Sequence, residues 1–125
     1  MLFAIALGGA AGSLARYGLE GLVQRGSTHF PYGTLVVNVS GSLLLGFLMH
    51  YLLQTSASPD IRAGLTIGLC GGFTTFSTFS YETVRLIEDG SYGRALAYVL
   101  ASVVLSLLAT YAGFAAARGL FTAAT

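Results

Sequence analysis

Apolar runs divide this chain at a few charged points. Nothing before Arg16 is charged, and uncharged stretches run from Arg25 to Asp60, from Arg62 to Glu82 and from Arg94 to Arg118. A helix needs about 20 apolar residues to cross the hydrocarbon core of a bilayer. The pattern predicts four spans, at residues 2–23, 33–54, 61–88 and 92–118. The runs are long and lack period-two alternation, which argues against a β-barrel. The expected fold class is an all-α membrane protein, a single domain over residues 1–125 with four transmembrane helices and a break in the third.

The polar positions inside the spans are patterned too. In span 1, Gly8 and Gly12 form a GxxxG pair that permits close helix approach, and Arg16 follows one turn later. Span 2 carries Thr34, Asn38 and Ser42 at spacings of four, which puts them on one helix face. Span 4 repeats the spacing with Tyr98, Ser102, Ser106 and Thr110. Span 3 reads Cys70-Gly71-Gly72-Phe73-Thr74-Thr75-Phe76-Ser77-Thr78-Phe79-Ser80. Paired glycines and paired threonines are poor helix formers, so this stretch predicts two half-helices joined by unwound backbone. The segment at 26–31, with Ser27, Thr28 and Pro31, predicts a turn, and residues 122–125 a frayed tail.

Composition supports the membrane assignment. Apolar residues make up 54% of the 125 and charged residues 9%, against roughly 25% in an ordinary globular protein. A soluble domain this small needs more charge to cover its surface. A net charge of +1 and the lack of a basic stripe exclude nucleic acid as a partner. The lone Cys70 forms no internal disulfide, and an N-terminus without a positive n-region does not read as a cleaved signal peptide. Arg62 and Arg118 would lie on one side of the membrane and Arg25, Arg85 and Arg94 on the other. That near-balance fits either a weakly biased orientation or dual topology.

The chemistry at depth is neutral. The middles of spans 2, 3 and 4 hold no carboxylate, His or Lys, whereas a proton-coupled carrier needs a titratable group there. They hold hydroxyls and one amide, which donate to an anion without binding it too tightly to leave. Phe73, Phe76 and Phe79 recur every three residues through the break. Their positive ring edges suit a dehydrated anion, and the plainer alternative is packing. Unwound carbonyls in the break would suit a hard cation, and the plainer alternative is a kink. Arg16 either bonds carbonyls of the break or snorkels to the interface, and Glu82 is either a vestibule charge or its partner. His29 and His50 share no ligand spacing.

Three stretches carry a family resemblance: Gly8-Gly9-Ala10-Ala11-Gly12-Ser13-Leu14-Ala15-Arg16-Tyr17, Gly33-Thr34-Leu35-Val36-Val37-Asn38 with Gly41 and Gly46, and the motif from Gly68 to Ser80. The chain resembles the Fluc/CrcB family of fluoride ion channels, over essentially its whole length. The resemblance implies no enzyme activity. It implies an antiparallel, dual-topology homodimer in the bacterial plasma (inner) membrane, with two pores at the subunit interfaces. It also implies a structural Na+ held by backbone carbonyls, which map to Gly71 and Thr74. The fluoride pathway maps to Asn38, Phe76, Phe79, Tyr98, Ser102 and Ser106, with Thr75 and Ser77 close by in the motif and Arg16 as a structural residue. Hydrogen fluoride enters cells as a neutral acid and dissociates, and the anion leaves passively down the potential.

Rival classes fare worse. A small four-helix multidrug exporter needs a membrane-embedded carboxylate, and Glu20, the span 1 candidate, lies near the span end. A fluoride–proton antiporter belongs to a larger, unrelated fold. A non-transporting assembly subunit is the third alternative, because one four-helix unit leaves little room for a pore.

Overall fold

The computed structural model describes residues 1–26 and 29–123, and those residues form helices and short connections. The turn predicted around Ser27 and Thr28 lies outside the described residues, as does the end of the tail at 124–125. The helices are α1 (Leu2–Gln24), α2 (Tyr32–Leu53), α3 (Pro59–Ala63), a π-helical stretch Gly64–Cys70, α4 (Gly71–Phe73), α5 (Phe76–Glu88) and α6 (Tyr92–Ala123). Among the described residues, three helices are long and apolar enough to cross a membrane: α1, α2 and α6. The region predicted as the third span is divided into shorter pieces.

Local signals explain the boundaries. Ser58 caps α3 by accepting from the Ile61 N–H at 3.3 Å, with Pro59 at the first helical position. Arg62 ties the preceding loop through the carbonyls of Ala57 (3.1 Å) and Thr55 (3.0 Å). Gln24 closes the α1–α2 connection, accepting from the Gly33 N–H at 2.9 Å and donating to the Phe30 carbonyl at 3.0 Å. Gly90, at φ 77°, ends α5 in the left-handed conformation, and the Ser91 N–H bonds back to the Leu86 carbonyl at 2.8 Å. Helix α6 runs past the predicted end at residue 118 to Ala123. Phe121 anchors this extension against Tyr51, with ring centroids 5.6 Å apart.

Two close crossings organise the bundle. Apolar attraction between helices is weak in lipid, so association depends on packing of small residues. In the first crossing, α1 lies against the π-helical stretch and α4. A Cβ on Gly8 would overlap the Gly64 carbonyl oxygen, and one on Gly12 the Leu69 carbonyl oxygen. Seen from the other side, a Cβ on Gly68 or Gly72 would overlap the carbonyls of Ile5 or Gly9. In the second crossing, α2 lies against α6, where Gly46 meets the Thr110 carbonyl and Gly113 meets the Leu43 carbonyl. Helix α5 leans on α6 through Leu86, Ala95 and Tyr98, with Phe79 packed alongside.

The break is narrower than the sequence suggested. Gly71 and Gly72 are helical, and only Thr74 (φ −88°, ψ 158°) and Thr75 (φ −150°, ψ 115°) are extended. The glycines are not there to unwind the chain: Gly72 lets it approach Gly9 closely. The π-helical turn before them was not foreseen; such wide turns are rare and recur at functional sites.

Candidate functional site

Thr74 and Thr75 expose backbone groups that a continuous helix would pair. Two side chains from other helices meet this demand. The Asn38 amide donates to the Thr75 carbonyl at 3.0 Å and accepts from the Thr75 N–H at 2.8 Å. Arg16 Nε donates to the Gly72 carbonyl at 3.1 Å, which decides between carbonyl bonding and snorkelling. Thr75 caps α5, its Oγ1 accepting from the Thr78 N–H at 3.2 Å. Room for the bend comes from Gly41, where a Cβ would collide with Thr74 Cγ2 and approach the Phe73 ring.

These bonds leave two carbonyls without their helical partners. The Thr75 N–H that would bond Gly71 goes to Asn38, and the Thr78 N–H that would bond Thr74 goes to Thr75 Oγ1. Gly71 is exposed, with open space around its α-carbon. Neutral carbonyl oxygens of this kind suit a hard monovalent cation, and the two positions are those the family resemblance singled out.

Beside the break, α2, α5 and α6 enclose a groove of about 370 Å³. It brings together Asn38, Thr74, Thr75, Phe76, Phe79, Ser102 and Ser106, with Ser42 and apolar neighbours. No charged side chain lines it. The Phe76 and Phe79 ring centroids lie 5.6 Å apart with planes at 49°. Phe79 continues to Tyr98 at 5.2 Å. Ser102 Oγ is buried without a hydrogen-bond partner.

Some predicted residues fall elsewhere. Ser77 is exposed outside the groove, 3.4 Å from Thr75 Oγ1. Tyr98 is 0% exposed and sits behind Phe79 rather than on the groove wall. Thr110, the last member of the span 4 stripe, bonds back to the Ser106 carbonyl at 2.9 Å.

Glu82 has a role the sequence did not disclose. Its partners are Thr34 Oγ1, donating at 2.5 Å, and the Tyr98 hydroxyl, donating at 3.4 Å, not Arg16. Thr34 and Tyr98 each precede a groove residue by one turn, Asn38 and Ser102 respectively. That shared spacing was the available signal. A second cavity of about 320 Å³ opens beyond Glu82, with His29, Arg85, Asp89 and Arg94 on its wall.

Comparison with known proteins identifies the family. The family described as CrcB-like protein, Camphor Resistance (CrcB), matches residues 3–114. The chain belongs to the CrcB family. Within it, the protein from Geobacter metallireducens named fluoride-specific ion channel FluC is 54% identical over 124 residues, covering 95% of this chain and 98% of its own. The protein of that name from Geobacter sulfurreducens is 54% identical over 121 residues, with the same coverage. That from Rhizobium meliloti is 48% identical over 119 residues, covering 93% of this chain and 94% of its own. CrcB proteins are membrane channels rather than enzymes, in keeping with the long apolar helices here.

Proposed function

We propose that this protein is a fluoride channel that exports cytoplasmic fluoride passively. The observation that carries the reading is the groove itself, a path walled by hydroxyls, one amide and a phenylalanine pair, with no charged side chain. Fluoride is small and strongly hydrated, and it enters such a path only where donors replace part of its water shell. Neutral donors and positive ring edges do this without the tight binding that would stop conduction. Relatives bearing the fluoride-channel name match nearly end to end, which supports the same cargo here. The negative interior potential drives the anion outward.

The working unit is an antiparallel homodimer of dual topology in the bacterial inner membrane, with two pores. Residues 59–88 make the fourth crossing as two halves joined at Thr74–Thr75. Ser77 and Gly71 are exposed near that join, and lipid cannot satisfy polar groups at depth. A second, inverted copy would cover them. The near-balance of arginines on the two sides is consistent with insertion both ways. In that dimer the Gly71 and Thr74 carbonyls of each copy would hold a structural Na+ between them. Fluoride would pass along Asn38, Thr75, Phe76, Phe79, Ser102 and Ser106, with Ser77 and Tyr98 at its margins.

Ion efflux from liposomes containing the purified protein tests the reading. Fluoride should leave rapidly while chloride is retained. Equal chloride efflux, or efflux of neither ion, rules it out.

A further inference from the structure

A helical hydroxyl in an apolar setting has a ready acceptor, the carbonyl about one turn back. Ser40, Thr66, Thr74, Thr83 and Thr110 all use it, at 2.7–3.2 Å. Ser102 does not, and among the described residues Ser42 and Ser106 have no side-chain hydrogen-bond partner either. These three line the same groove, Ser42 from α2 and the other two from α6. Ser42 stands one turn beyond Asn38, beside Leu45, while Val103 and Leu107 line the α6 side. One turn further along α2, Gly46 abuts the Thr110 carbonyl, and this crossing holds Ser42 close to α6.

The state of Asn38 makes Ser42 more than a neighbour. The Asn38 amide oxygen and one of its N–H bonds are committed to Thr75. On the α2 wall, Ser42 is therefore the polar side chain with no other engagement. An unpaired hydroxyl among apolar side chains is costly unless something in the groove accepts from it.

We propose that Ser42 is a fluoride-contacting residue, a donor on the α2 wall that faces the Ser102–Ser106 pair. It receives the ion as it leaves the phenylalanine pair, so that fluoride is held between two walls rather than tracking along α6 alone. This rests on the fluoride-channel reading above.

The test uses the full chain in liposomes, with fluoride efflux as one readout and block by silver ion as the other. Ser42→Ala should slow fluoride efflux about ten-fold, the scale of one lost hydrogen bond. Ser40→Ala, which removes a back-bonded hydroxyl two residues away, should leave efflux at the wild-type rate. Ser42→Cys should be blocked by silver ion, while the wild type, whose Cys70 is buried, should not. Silver block requires the side chain to face the ion path, which a purely structural serine would not. Wild-type efflux in Ser42→Ala, or a Ser42→Cys channel indifferent to silver, overturns the proposal. If the wild type itself passes no fluoride, the channel reading falls instead.

Discussion

The side chain of Asn38 replaces a missing helical turn at Thr75. It donates to the Thr75 carbonyl at 3.0 Å and accepts from the Thr75 N–H at 2.8 Å, the exchange a neighbouring strand would make. One amide thus pairs both backbone groups of Thr75, the second of the two extended residues between α4 and α5.

Asn38→Ala should therefore act on stability as well as on transport. Both Thr75 groups lose their partner, at a cost of about 2–4 kcal/mol. Thermal unfolding in detergent should show a lower midpoint, and fluoride efflux should fall. An unchanged midpoint would mean that water takes over both bonds.

Phe76 and Phe79 should separate transport from folding. Phe76 is 79% exposed, so Phe76→Ile should slow fluoride efflux at least ten-fold with little change in melting. Phe79 also packs on Tyr98, so Phe79→Ile should slow efflux and cost about 1 kcal/mol of stability. Wild-type efflux in both variants would remove the aromatic rings from the path.

Glycines should divide by what a Cβ would meet. Gly12→Ala forces α1 away from the Leu69 carbonyl and should destabilise by about 2 kcal/mol or more. Gly18 on the same helix has open space around it, and Gly18→Ala should be neutral or stabilising by about 0.5–1 kcal/mol. Equal melting of the two variants would refute the close crossing.

Arg16→Met keeps an unbranched apolar stem and removes the bond to the Gly72 carbonyl. A hydrogen bond from a charged group is worth about 1.5–3 kcal/mol, and the melting midpoint should fall accordingly. A midpoint equal to that of the wild type would show the guanidinium to be free of the break.

Much of the site was legible because helical period translates spacing into shared faces. Thr34, Asn38 and Ser42 do lie on one face of α2, meeting Glu82, Thr75 and the groove in turn. The break itself was legible only roughly. Gly71 and Gly72 looked like unwinding residues, yet both are helical. Propensity describes what a glycine permits, whereas its use at Gly72 is set by the backbone of Gly9 on another helix. For Glu82 the sequence left two readings, a vestibule charge or a partner of Arg16; it lines the second cavity and bonds Thr34 and Tyr98 instead of Arg16. Its burial and its partners depend on Thr34 and Tyr98, which come from two other helices.

The sequence by itself determined that this is a helical membrane protein, because charge is confined to the ends of long apolar runs and lipid tolerates little else. It also determined which polar residues share a helix face, because 3.6 residues per turn is a local property. Only the tertiary structure decided which hydroxyls are free and which are spent. Ser40 and Ser42 look alike in the chain, and one bonds its own helix while the other faces the groove. The same holds for the width of the break, which Asn38 limits to two residues by pairing with Thr75 from across the bundle.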